Sequence, residues 1–144
     1  MKKKLLFIAS LLSVVLIFGL CSCGGDESTE QAKEEPLNLT GEWVQTNSNS
    51  EDMWHEATIE GDVIEIYWVS NNGDTRDLYW AGTYVAPTDA GDSYAWTSEN
   101  DTSKTDAALL ASTSETKEFK FENNELVYEA SSMGTDMTIR MERK

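Results

Sequence analysis

The sequence predicts an all-β domain: an eight-stranded antiparallel up-and-down barrel standing behind a signal peptide and a disordered tether. Three observations carry that expectation. Beyond Pro36, turn residues punctuate the chain roughly every 8–12 positions, the rhythm of a sandwich or barrel. Between them run short stretches rich in aromatic and β-branched residues, in which apolar and polar positions alternate as they do on a half-buried strand. Ahead of them stand an apolar run and a strongly polar one, neither of which belongs to a folded core.

The apolar run comes first. Lys2, Lys3 and Lys4 precede Leu5–Leu20, a stretch with no charge. It is short for a spanning helix, which needs about 20 residues, and has the charged-then-apolar layout of an export leader. Cys21 and Cys23 close it. Two residues apart they have poor geometry for a disulfide, and two thiols with no nearby histidine make a poor metal site. Leu20-Cys21-Ser22-Cys23 resembles the lipobox of bacterial lipoproteins: an apolar residue, two small ones, then the cysteine that is acylated. The resemblance implies that residues 1–22 are removed and that Cys23 becomes the first residue, carrying a diacylglycerol thioether. Two acyl chains anchor stably where one would not. The expected address is therefore the extracytoplasmic face of the cell membrane, with the membrane as a partner through the lipid on Cys23. No free thiol remains for disulfides or catalysis.

Residues 23–37 are rich in Gly, Asp, Glu, Ser, Thr, Gln and Lys, a composition that cannot repay the entropy of ordering. They are expected to form the tether, and residues 38–144 the barrel, long enough for one modest core. With 26 acidic against 11 basic residues the chain carries −15. That excludes nucleic acid, whose phosphates demand lysine and arginine, and opposes lying flat on anionic lipid. The acidic turns NNGD and DAGDS lack the alternating oxygen ligands and closing glutamate of a calcium loop, so no metal or other cofactor is expected.

Eight strands follow in order. LTGEWVQT opens the series, MWHEATIE is second, and Gly61-Asp62 turns the chain into VIEIYWVS. NNGD leads to TRDLYWAGTYVA, closed by Pro87; DSYAWTSE is fifth. ETKEFKFE, a turn at Asn123-Asn124, ELVYEASS, a turn at Met133-Gly134 and TDMTIRMER complete the set. The rhythm breaks at NDTSKTDAALLASTS, where Thr105 or Asp106 is expected to cap a helical turn over Ala107–Leu110. In the NNGD hairpin, a three-residue loop Asn71-Asn72-Gly73 with Gly73 left-handed pairs Ile66 with Leu78 and Ile64 with Trp80. A two-residue turn would pair Trp68 with Asp77 and separate Trp68 from Trp80. Since a one-residue slip inverts every side chain, the apolar pattern selects the odd loop. Closing eight such strands into a barrel removes exposed edges, and the interior is then filled or holds one small ligand.

Gly41-Glu42-Trp43 on the first strand resembles the calycin superfamily (lipocalins, fatty-acid-binding proteins, avidins), in which such a tryptophan closes one barrel end. The whole chain resembles small lipoproteins of Gram-positive bacteria and their mobile elements. The resemblance implies a lipocalin-like barrel and an arginine of the last strand packed across Trp43. Arg140 stands in a suitable place, although Met137, Ile139 and Met141 read as the inward set, which points Arg140 outward unless a bulge intervenes.

Catalytic equipment is sparse. His55, the sole histidine, reads as an exposed strand-end residue, and glycine-rich phosphate cradles are absent, so no enzyme is expected. The aromatics are more informative. Parity turns Ile66, Trp68, Leu78, Trp80, Tyr84 and Trp96 inward, where they would line any cavity, and turns Tyr67 and Tyr79 outward as a surface patch. Two functions follow. The first is a lipid-anchored, monomeric barrel that binds a small apolar or aromatic ligand. The second is a non-catalytic module that touches another surface protein through a packed scaffold, for example to exclude a related mobile element.

Overall fold

The computed structural model describes residues 35–144 apart from Met133; the leader, Cys23 and the tether through residue 34 lie outside the described residues. The strands are β1 (Gly41–Gln45), β2 (Trp54–Glu60), β3 (Val63–Ser70), β4 (Thr75–Thr83), β5 (Tyr94–Glu99), β6 (Thr116–Glu122), β7 (Glu125–Ser132) and β8 (Thr135–Arg143). All pair antiparallel in the order β4-β3-β2-β1-β8-β7-β6-β5. The chain is thus a meander of neighbours in which β1 also joins β8, through Trp43–Arg143, Val44–Glu142 and Gln45–Met141. The result is a nearly closed barrel. Its turns follow local backbone chemistry: Asn123 and Asn124 both sit at positive φ (53° and 65°), which asparagine tolerates better than other side chains.

Two local expectations are corrected. The β3–β4 loop does not adopt a type I turn with a bulge at Gly73. Asn71, Asn72 and Gly73 are all left-handed (φ 53°, 56° and 100°), and Ser70 pairs with Thr75 around four loop residues. Trp68 therefore faces Asp77, the register rejected above. What restores the inward packing is a bulge between Ile66 and Tyr67: Tyr67 pairs with Leu78, Ile66 with Trp80, and Tyr79 is the extra residue. A bulge lets two consecutive side chains face the same side. Tyr79 and Trp80 are accordingly both buried inside (2% and 0% exposed), while Leu78 sits opposite Tyr67 and is half-buried. The second correction concerns the short helix α1 (Thr102–Thr105). It begins earlier than expected and is capped by Asp101, whose carboxylate accepts from the Ser103 N–H at 3.1 Å.

β4 and β5 lie at the two ends of the strand order and meet through one bridge, Gly82–Asn100. The segment 100–115 straps this seam from outside. Asp101 N–H donates to the Ala81 carbonyl (2.8 Å) and Ser112 N–H to the Tyr79 carbonyl (2.8 Å), so β4 backbone groups left without a strand partner are satisfied. Lys104 of α1 reaches across to Glu65 of β3 at 2.7 Å. Gly82 permits this close approach. A Cβ there would lie 2.5 Å from the Glu99 carbonyl oxygen and 2.7 Å from Trp80 Nε1, and would also meet Ser98 Oγ. Because one obstacle is backbone, Gly82→Ala is expected to cost about 1–3 kcal/mol in urea unfolding, the range of overpacked cores. A variant as stable as the wild type would show that the seam is looser than the geometry implies.

The core begins before β1. Leu37 packs against it and Leu39 is fully buried, so the folded unit starts at the edge of the expected tether. Trp43 Nε1 donates to the Leu39 carbonyl at 3.1 Å, which holds this N-terminal segment across one barrel end.

Candidate functional site

Of the residues expected inside, Ile66, Trp80, Tyr84 and Trp96 are buried there (0%, 0%, 3% and 6% exposed). Trp68 is only partly buried against the core, and Leu78 belongs to the outer face. The inward aromatics pack on one another. Trp96 stacks on Phe119 at 5.0 Å between ring centres, Phe119 meets Tyr128 at 5.3 Å, Tyr84 meets Trp96 edge-on at 5.2 Å, and Trp43 meets Phe121 at 5.9 Å. These separations are those of favourable aromatic pairs in contact. The rings occupy the space that a ligand would need.

Arg143, not Arg140, covers Trp43. Its guanidinium carbon lies 4.8 Å from the Trp43 ring centre, and its N–H groups donate to the carbonyls of Thr40 and Asn38, the latter at 2.7 Å. Arg143 is in phase with Ile139 and Met141, whereas Arg140 faces Glu125 at 3.0 Å outside. The parity argument against Arg140 already contained this answer, because the next residue of the inward set is Arg143.

The opposite end of the barrel holds a polar cluster. His55 is in phase with Ala57 and Ile59 on β2, and is fully buried rather than exposed. Its Nδ1 is hydrogen-bonded to the Tyr128 hydroxyl, and its ring meets Trp68 edge-on at 3.8 Å. Its Nε2 has no partner among the described residues. Burial, reinforced by the charge of Lys117, depresses the histidine pKa from 6.5 to about 3. Lys117, in phase with Phe119 and Phe121 on β6, donates from Nζ to the Tyr79 hydroxyl (3.2 Å) and the Glu129 carbonyl (2.9 Å). The same ammonium faces the rings of Tyr79, Trp80 and Tyr128 at 5.1, 5.4 and 5.8 Å. Tyr79, expected as a surface patch, thus lies inside, where it also accepts from the Ser131 N–H at 3.3 Å. Burial, then the neighbouring Tyr79, pushes the Tyr128 hydroxyl well above its ordinary pKa.

Chemically this cluster is a closed structure. An aromatic cage of this kind binds cationic ligands elsewhere, but here the chain's own lysine fills it. A histidine this weakly basic is poorly matched to general-base work near neutral pH, and it has no contact with solvent. No group of three metal-ligating side chains occurs among the described residues.

The surface offers other features. Tyr67 is partly covered: its hydroxyl donates to Glu65 Oε2 at 2.8 Å and Arg76 lies over its ring at 4.9 Å. The surface clefts lined by Thr58, Val63 and Lys104, by Gly82 and Glu99, by Asp92 and Asn124, and by Thr105 and Ser112 do not reach the interior aromatics. Among the described residues the exposed large apolar side chains are Leu109 (97%), Val85 (59%), Leu110 (49%) and Met53 (45%). Parity could not have found Leu109 and Leu110, because they lie on the one segment without strand rhythm. No protein family, curated protein or solved structure matches this chain.

Proposed function

We propose that this protein is an extracytoplasmic lipoprotein, held at the cell membrane through lipid on Cys23, whose barrel is a non-catalytic module for binding another surface protein. The observation that carries the choice is the filled interior: Trp80, Tyr84 and Trp96 are buried against other side chains, and Lys117 closes the cage of Tyr79, Trp80 and Tyr128. A barrel of eight strands either packs its interior or holds a small ligand, and packing of this kind leaves recognition to the outer surface. The leader pattern and the Leu20–Cys23 motif support the membrane address, and the calycin-type pairing of Trp43 with a last-strand arginine supports the kinship of the scaffold.

Native mass spectrometry of the chain isolated from the membranes of its producing cell tests both halves together. The expected mass is that of the chain from Cys23 plus a diacylglycerol adduct that disappears in Cys23→Ser, with nothing else retained. A further small mass, lost in Trp80→Ala, would replace this reading with a ligand-binding barrel. An unprocessed, unlipidated chain would remove the anchor.

A further inference from the structure

We propose that the turn Ala108–Ala111, with Leu109 and Leu110 at its corner, is the contact by which the barrel docks onto a basic partner protein with an apolar pocket. The inference rests on the reading of the barrel as an interaction module. The Ala111 N–H donates to the Ala108 carbonyl at 3.2 Å, so the two leucines take the central positions of a tight turn. Those positions ordinarily go to Gly, Pro, Asn, Asp or Ser, which suit the backbone and solvent. Two adjacent leucines there break the local rule, and the folded domain gains almost nothing from Leu109, which is 97% exposed, and only part of a burial from Leu110, at 49%. Such a local conflict is expected at functional positions.

The turn is also held still. Ser112 N–H binds the Tyr79 carbonyl at 2.8 Å, Asn100 Nδ2 donates to the Ser114 carbonyl at 2.8 Å, and Thr105 Oγ1 donates to Asn100 Oδ1 at 2.7 Å. An apolar anchor fixed in advance loses little freedom on binding. Charge selects the occupant. Asp106 and Glu115 flank the turn as exposed residues, outside the salt bridges of the described residues, while Lys104 is occupied by Glu65. A chain at −15 repels an anionic bilayer and a second copy of itself, and favours a cationic rim around the pocket that receives the leucines.

The test is site-specific photo-crosslinking of the full chain in intact producing cells, with the photoreactive residue at position 109 and, in parallel chains, at positions 67 and 85. A cross-link from position 109 to another protein is expected. It should be lost or cut about 30-fold by Leu110→Ser, as for a binding hot spot, and fall several-fold as salt is raised. Leu110 is on the surface, so an unchanged far-UV circular dichroism spectrum will separate lost docking from lost fold. Adducts only to lipid or to a second copy overturn the proposal, as does a protein cross-link insensitive to salt. Cross-links from 67 or 85 but not 109 also overturn it while leaving the interaction module standing. Silence from all three positions removes both.

Discussion

Acidification will weaken the barrel by about 1.4 kcal/mol per pH unit between pH 6.5 and about 3, through one side chain. His55 is held neutral in the fold, with its pKa lowered to about 3 by burial and by Lys117, whereas in the unfolded chain it titrates at its ordinary 6.5. Between those values the unfolded state binds the proton and the folded state does not. The stabilisation is therefore complete above pH 6.5 and is lost as the pH falls, by ~5 kcal/mol over the whole window. Against the 5–15 kcal/mol typical of a whole domain, that is a large fraction of the total. Glu65, held low by its hydrogen bond from Lys104, contributes with the same sign but only as the pH drops through the carboxylate range. Urea unfolding at a series of pH values reads the slope. His55→Leu should flatten it above the carboxylate range, whatever its effect on absolute stability. A wild type whose stability does not change just below pH 6.5 would mean that the imidazole is charged or hydrated inside the barrel.

Trp80→Ala is expected to cost about 3–5 kcal/mol, the range for removing a buried aromatic side chain. The indole is fully buried, its Nε1 donates to Ser98 Oγ at 3.1 Å, and it forms one wall of the Lys117 cage. Truncation leaves a cavity, a buried hydroxyl without its donor and an ammonium with one face open. Trp68→Ala should cost clearly less, because its ring is only partly buried and its neighbours can close on the gap. Equilibrium denaturation of the two variants side by side decides the matter. Equal costs would contradict the packing described for the interior.

The eight strands were legible because each is short, strongly alternating and bounded by turn residues: β3 and β7 begin and end where the pattern places them. Alternation also carried more of the interior than was drawn from it. His55 in phase with Ala57 and Ile59, Lys117 in phase with Phe119 and Phe121, and Arg143 in phase with Met141 all follow the period of two. A polar residue on an inward position invites reading the strand as ending there. His55 and Lys117 are inside because each finds partners from other strands, while Arg143 stays exposed and lies over Trp43 at the barrel end. The bulge at Tyr79 was not legible. Nothing within TRDLYWAGT marks it, since it exists so that Tyr79 can meet Lys117 and Ser131 while Trp80 meets Ser98, partners that lie far along the chain. The strap over the seam escaped for a similar reason: its backbone bonds go to β4, and no local periodicity announces a segment whose partners are main-chain carbonyls.

The pairing of the first strand with the last imposes an order in time. Ribosomes deliver a chain from its N-terminus, so β1 and β2 can form their hairpin early, while the other edge of β1 finds its partner only when Met141–Arg143 arrive. Throughout that interval β1 offers an unpaired backbone edge, and Trp43 stands without the guanidinium that later covers it. The vulnerable species in the life of this protein is thus the nascent, nearly complete chain. Pauses or breaks shortly before residue 141 are the ones that would leave it open to pairing with the wrong neighbour.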